Sequence, residues 1–277
     1  MAERGLLRYA ARSALFVLPL AIASAAGAAD HSNLEAGYPL AVEDAYPVGR
    51  NELEAQVYTR YRELRDDPEG DALVEVVSRL EWGALANGQV ALELPYNLGS
   101  GEESDRGAVG LELLYNLNTE MLRLPALSIA AGLEAPYGAG VDGGPEASVG
   151  LLATMSIGTP RPGGGTPYAY VPRRIHLNAT YIRNVDPAPG ERDDRFAIGL
   201  GYSQPVTNDV VLVADLHREL ERAEGTATNL VEIGARYVAT PQTILSAGIG
   251  RAFGDDRTED TRLTLGVQHA LSYPWFR

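Results

Sequence analysis

Apolar and polar residues alternate with a period of two through most of the chain, and this pattern limits the fold more than any other feature. In the run NELEAQVYTRYR, Leu53 and Val57 share one parity, whereas Glu54 and Arg60 share the other. Successive side chains of a β-strand point to opposite faces, so each such run predicts a strand with one apolar and one polar face.

About twelve of these runs follow one another, each near the 9 to 11 residues that a membrane-spanning barrel strand needs. Short turns such as Ala86–Gly88, with its Asn-Gly hairpin signal, alternate with longer acidic connections such as Arg65–Asp71 and Asp186–Asp194. We therefore predict an all-β fold: an antiparallel transmembrane β-barrel of about 12 strands, with short periplasmic turns and longer acidic extracellular loops. The Pro- and Gly-rich segment Thr159–Pro172 does not fit, because it is long and falls on the predicted periplasmic side.

The first 29 residues have the features of a signal peptide. Arg4, Arg8 and Arg12 precede the apolar stretch Ser13–Ala25, and small residues follow it. The predicted organisation is therefore a signal peptide over 1–29, an irregular N-terminal tail over 30–49 and an outer-membrane β-barrel over 50–277. Export by this signal predicts location in a bacterial outer membrane.

Charge and cysteine content exclude several classes of function. The chain has a net charge of −14, which repels nucleic-acid backbones, so no nucleic-acid partner is expected. It has no cysteine, which excludes disulfides and thiolate chemistry.

Aromatic residues of the apolar parity fall near the ends of the predicted strands, where the rings of a barrel meet the lipid headgroups. The predicted membrane-interface residues are Tyr61, Trp82, Tyr96, Tyr115, Tyr181, Phe196, Tyr202 and Tyr237. A soluble periplasmic β-barrel binding protein would explain the alternation equally well, but it would not explain aromatics confined to strand ends.

Polar residues of the opposite parity should face the lumen. The pore-lining candidates are Glu75, Arg79, Glu93, Glu112, Glu134, Arg174, His176, Asp215, His217, Glu232, Arg236 and Arg262. The parity also predicts the effect of a new charge: an arginine should be costly at Leu111, which faces lipid, and tolerated at Asn116, which faces the lumen.

A Glu-x-Pro-Tyr repeat places Glu93 and Glu134 on two strands of equal direction, near the outer mouth. One hypothesis is a carboxylate pair that selects cations. The alternative is structural, with both glutamates neutralised by lumenal arginines, because desolvated charges need such pairing.

Sequence motifs for catalysis or cofactor binding are missing. The four histidines are scattered, and Asp215 lies two residues before one of them, His217, which is a weak signal for a metal or catalytic site. There is no G-x-S-x-G, P-loop or dinucleotide fingerprint, and Gly248–Gly250 lacks the required strand-to-helix context. We expect no enzymatic activity, no cofactor and no metal site.

Several of these segments resemble a family of Gram-negative outer-membrane proteins, the MetA-pathway of phenol degradation family. The resemblance rests on Glu93–Tyr96, Gly132–Gly138, Gly248–Asp256 and Leu263–Gly266, and it extends over most of the mature chain. It implies a twelve-stranded barrel that passes small molecules, including aromatic or hydrophobic ones. The C-terminus departs from the common barrel ending, because Arg277 follows Phe276.

Two functions stay open at this point besides a soluble binding protein. The leading one is a channel or transporter for passive passage of small molecules, and the other is a plugged structural or surface-interaction barrel. Expected partners are outer-membrane lipid and lipopolysaccharide, the outer-membrane assembly machinery and a small-molecule substrate. Acidic loops could contact lipopolysaccharide through divalent cations, since hard cations favour clustered carboxylates.

Overall fold

Twelve β-strands make up the regular structure of the computed structural model, which describes Leu34 and residues 38–65, 72–99, 104–121, 123–138, 143–158 and 173–271. The strands are β1 Leu53–Leu64, β2 Ala72–Leu85, β3 Gly88–Gly99, β4 Arg106–Asn118, β5 Ala126–Gly138, β6 Glu146–Ile157, β7 Arg173–Asn184, β8 Asp194–Pro205, β9 Val210–Leu220, β10 Ala227–Thr240, β11 Thr243–Phe253 and β12 Glu259–Leu271. No helix among the described residues is long and apolar enough to cross a membrane.

The strands form one closed antiparallel sheet. Each strand pairs with its neighbour in the chain, and β1 also pairs with β12. That closing ladder sets Leu53 opposite Leu271 and Tyr61 opposite Leu263. Closure leaves no strand edge unpaired, which a barrel needs in a medium without water. The predicted twelve-stranded antiparallel barrel is confirmed.

The outer surface is apolar and the interior is polar. Large apolar side chains of the outward parity are exposed on every strand; Leu111 and Leu151 have 52% and 61% of their surface accessible. The opposite parity buries charged and amide side chains, including Arg79 and Gln89. A soluble barrel would show the reverse arrangement, so this distribution indicates a barrel whose outer face lies in lipid.

The eight predicted interface aromatics all lie on the outward parity, in two groups at opposite ends of the barrel. Tyr61, Tyr96, Tyr181 and Phe196 lie toward one end, and Trp82, Tyr115, Tyr202 and Tyr237 toward the other. Six of the eight are exposed, and Tyr96 and Tyr202 are half-buried. Their contact with headgroups stays a prediction, which this placement supports.

The two ends of the barrel differ in their connections. At the end away from the start of β1, the connections span 65–71, 100–105, 139–145, 185–193, 221–226 and 254–258. At the other end, three of the five connections are short and span 86–87, 206–209 and 241–242. We call these the outer and periplasmic ends. The signal peptide, the segment Thr159–Pro172 and the C-terminal Phe276 lie outside the described residues.

The segment that precedes β1 runs inside the barrel. Tyr38, Leu40, Val42 and Ala45 are almost fully buried, although residues 38–48 contain no named strand or helix. Lumen-facing apolar side chains surround them; Leu34 and Leu40, for example, pack against Val211 and Val213 of β9. We call Leu34 and residues 38–48 the plug, and it occupies the periplasmic half and the middle of the lumen.

Candidate functional site

Carboxylate and amide side chains of the barrel wall hold the plug by its backbone. The Asp215 Oδ2 atom accepts hydrogen bonds from the N–H groups of Ala41 (3.0 Å) and Val42 (3.1 Å). Asn178 both accepts from the Glu43 N–H (2.7 Å) and donates to the Glu43 carbonyl (2.8 Å). An irregular segment has no ladder of its own, so these lumenal groups satisfy backbone polar atoms that burial would otherwise leave unpaired.

A second set of wall residues holds Ala45. Its carbonyl accepts hydrogen bonds from Asn116 Nδ2 (2.8 Å) and Ser128 Oγ (2.6 Å), and its N–H donates to Thr154 Oγ1 (2.9 Å). The expectation that an arginine would be tolerated far better at Asn116 than at Leu111 stays a prediction, and the packing around Asn116 speaks against it. Asn116 does face the lumen, but it is 5% exposed and packed against the plug, so the larger side chain has no free space.

Glycines at lumenal positions make room for the plug. A Cβ atom built on Gly199 would lie 2.5 Å from Val42 Cγ2, and one on Gly248 would lie 2.8 Å from the Pro39 carbonyl oxygen. Both distances are shorter than real carbon contacts allow, so any side chain at these positions would displace the plug or the wall. Gly248 thus serves the seating of the plug.

A cavity of about 360 Å³ lies on the outer side of the plug. Its polar lining comes mainly from β1 to β6 and includes Arg60, Glu75, Arg79, Glu93, Glu112, Glu134 and Glu146. We call it the outer cavity. Its volume falls within the range of about 300–1,000 Å³ that is typical of small-molecule pockets.

A smaller cavity of about 130 Å³ lies between the plug and the wall. We call it the inner cavity. Its lining includes Glu43 of the plug, together with Asn178 and His217 of the wall. Glu112, Ser148 and Thr180 line both cavities, so the two adjoin.

Arg79 is the centre of the charge network in the lumen. Its guanidinium contacts three carboxylates: Glu81 at 2.6 Å, Glu93 at 2.8 Å and Glu112 at 2.9 Å. The Arg79 side chain is 2% exposed, so water does little to screen these contacts. One positive charge among three negative ones leaves this part of the wall acidic.

The two glutamates of the Glu-x-Pro-Tyr repeat lie at the same level of the barrel. Glu93 of β3 is opposite Gly110 of β4, and Gly110 is in turn opposite Glu134 of β5. Their environments differ, however. Glu93 is bonded to Arg79, whereas Glu134 is exposed to the lumen and has no ion pair or side-chain hydrogen bond within the described part of the chain. The contacts of Glu93 therefore favour the structural hypothesis, in which an arginine neutralises the glutamate. Those of Glu134 favour the hypothesis of a carboxylate that selects cations.

Four other candidate residues lie against the plug rather than along open space. Arg174 lies 4.0 Å from the Asp44 carboxylate and over the Tyr46 ring. The Arg236 guanidinium lies over the Tyr38 ring, with 6.0 Å between its central carbon and the ring centroid. Besides Asp215, described above, Glu232 Oε2 accepts from the Ala41 N–H at 3.3 Å.

The remaining candidates belong to the polar network of the wall. Glu75 accepts from Arg60 at 2.7 Å, and Arg262 donates to Glu259 and lies 3.8 Å from Glu232. His176 is fully buried between Thr154 Oγ1 and Ser203 Oγ, at 3.1 and 3.0 Å. Within the described ranges no three His, Asp or Glu side chains are grouped so that they could hold a metal ion.

The difference in ion pairing between Glu93 and Glu134 leads to a prediction. Glu93→Gln removes a charged partner of a buried guanidinium, so it should lower the unfolding free energy by roughly 1–3 kcal/mol. Glu134→Gln should leave stability unchanged and reduce the preference for cations. Urea unfolding in lipid vesicles and reversal potentials in planar bilayers measure the two effects. Equal behaviour of both variants in both assays would contradict this difference.

The closed barrel, its apolar outer belt and its charged lumen together define a transmembrane β-barrel of the outer-membrane type. No protein-family model matches the chain, and no curated protein matches its sequence.

Solved structures do match it in fold. The COG4313 outer membrane channel from Pseudomonas putida F1 is similar with a TM-score of 0.58 and 14% identity, over 82% of this chain and 98% of that one. The KdgM porin in complex with disordered oligogalacturonate gives a TM-score of 0.54 and 7% identity, over 79% of this chain and 99% of that one. The NanC porin gives a TM-score of 0.52 and 10% identity, over 79% of this chain and 100% of that one. At these identities the likeness concerns the fold alone.

Proposed function

We propose that the protein is an outer-membrane channel for the passive passage of small molecules. The observation that carries this proposal is the outer cavity, a space lined by charged side chains inside a barrel whose outer face is apolar. A barrel with a purely structural role would gain more stability from a filled interior than from an unfilled acidic one. The likeness in fold to a channel and two porins supports the same function.

The proposal includes membership of the MetA-pathway of phenol degradation family, on the motifs that resemble it. It also includes export by the N-terminal signal, insertion by the outer-membrane assembly machinery and contact of the acidic loops with lipopolysaccharide. The ligand in the KdgM complex, an acidic oligosaccharide, is a poor guide to the substrate here. A wall with excess carboxylates repels polyanions.

The plug favours a second candidate, a closed structural or surface-interaction barrel. Its backbone is bonded to β3, β4, β5, β6, β7 and β9 through wall side chains such as Gln89 and Asp215. If these bonds hold permanently and seal the lumen, nothing passes.

Reconstitution separates the two functions. We expect the full chain, produced in a Gram-negative host, to fractionate with the outer membrane and to migrate differently on SDS gels when boiled and unboiled. In planar bilayers it should give discrete, small conductance steps, because the plug narrows the lumen. A heat-modifiable protein that gives no conductance and admits no solute in liposome swelling would favour the structural barrel. Recovery in the soluble periplasm would contradict both functions.

A further inference from the structure

Glu43 is the one feature of the plug that the seating of the plug does not explain. Its backbone is bonded to Asn178, but its side chain points into the inner cavity and has no ion pair among the described residues. The residue is 6% exposed, and its Oε1 atom is buried without a hydrogen-bond partner. A buried carboxylate oxygen without a partner is costly, which favours a bound group that donates to it.

The wall that faces Glu43 adds to the negative charge. Glu112 lines the same inner cavity, and the one guanidinium that it contacts among the described residues, that of Arg79, is shared with Glu81 and Glu93. Glu134 lines the adjoining outer cavity without any ion pair in the part of the chain that the structure describes. Like charges repel strongly where water is scarce, so a cation that entered this region would be stabilised.

The shape of the site indicates which cation fits. Ser148 and Thr180 also line the inner cavity beside the two carboxylates, and their hydroxyl oxygens can accept hydrogen bonds from a compact donor. An ammonium group has three such donors. Among the described residues, no three His, Asp or Glu side chains are grouped to hold a metal ion, which favours an organic cation. The outer cavity, lined in part by Tyr58 and Pro95, offers room for its carbon skeleton.

We propose that Glu43 and Glu112 bind the ammonium group of a small organic amine, with the rest of the molecule in the outer cavity. The plug then does more than narrow the lumen, because it contributes a residue to the substrate site. This inference rests on the proposed function, since the site lies on the lumenal route, and it narrows the substrate class to amines.

Isothermal titration of the full-length protein in detergent tests the site without requiring an open channel. Benzylamine is the probe, and benzyl alcohol, of nearly the same shape but neutral, is its control. Wild-type protein should bind benzylamine saturably and benzyl alcohol far more weakly. Glu43→Gln keeps the shape and the backbone bonds of the plug, and it should weaken benzylamine binding roughly 10- to 100-fold, as expected for a lost charge-assisted contact.

Glu54→Gln is the matched control, because Glu54 is also a buried lumenal carboxylate but lines neither cavity. It should bind benzylamine like the wild type. If Glu43→Gln loses its heat-modifiable migration, Glu112→Gln takes its place; like Glu93→Gln it should lower the stability of the barrel, but Arg79 keeps two other carboxylate partners, so the barrel should still fold.

Three results would overturn the proposal: equal binding of the amine and the alcohol, wild-type affinity in the folded glutamine variants, or binding of calcium but not of benzylamine. A protein that binds benzylamine but conducts nothing would instead contradict the proposed channel and leave the site standing. A protein that conducts ions but does not bind benzylamine would contradict the amine site and leave the proposed channel standing.

Discussion

Replacing residues 38–48 by a glycine–serine segment of equal length should raise the single-channel conductance severalfold. The plug lies across the lumen and is held there by burial of apolar side chains, of which Leu40 is 1% exposed, and by hydrogen bonds to residues such as Asp215 and Asn116. A glycine–serine segment has no apolar side chains to bury and behaves as a flexible coil, so it should leave the lumen. The barrel itself should survive, because none of the twelve strands that close it includes a plug residue.

A single methyl group can test the same idea with less disturbance. In Gly199→Ala, the new Cβ would lie 2.5 Å from Val42 Cγ2, so the plug should be displaced and the conductance should rise. Gly150→Ala is the control. Gly150 also faces the lumen, but its nearest neighbour would be Thr180 Oγ1 at 3.1 Å, and none of the plug atoms is among its close contacts. Unchanged conductance in the glycine–serine variant would show that ions already bypass the plug.

An arginine on the lipid-facing side should destabilise the barrel far more than one on the lumenal side of the same strand. Leu151, in the middle of β6, is 61% exposed on the apolar surface, and Leu151→Arg should cost about 2–4 kcal/mol at the bilayer midplane. Ser148→Arg on the same strand enters the outer cavity, where unpaired Glu134 is available as a partner.

Unfolding by urea in lipid vesicles measures both variants, and the fraction that migrates as the folded form on unboiled gels gives a second readout. Ser148→Arg should fold with nearly wild-type efficiency and should also reduce the preference for cations. If the two arginines cost the same free energy, the assignment of the two faces of β6 is wrong.

The barrel could be predicted from the sequence because its cause is local. Side-chain direction in a strand repeats every two residues. The alternation of apolar and polar residues, as in β1, therefore shows directly which face contacts lipid and which faces the lumen. The number of strands, their outward aromatics and the difference between the two ends follow from the same pattern. Closure follows as well, since lipid does not tolerate a free strand edge.

The plug also left a signal, although a weak one. Leu114 and Leu152 occupy lumenal positions where the alternation calls for a polar residue, and both are buried in a cluster with Ala45. Val211 and Val213 are also apolar residues at lumenal positions, and they are buried in a cluster with Leu40. Such apolar residues on the inner face, together with lumenal glycines, indicate that something other than water fills that part of the lumen.

The sequence by itself determined which side chains face lipid and which face the lumen, because that choice depends only on parity along each strand. Only the tertiary structure decided what each lumenal residue contacts. Glu93 and Glu134 belong to the same repeat, yet Arg79 reaches one and not the other. Asp215 binds the plug instead of lining an open path, and Glu43 lines the inner cavity from a segment without any periodic pattern. These contacts join residues that are far apart in the chain. They depend on how the plug packs inside the closed barrel, and a local sequence pattern carries no information about that packing.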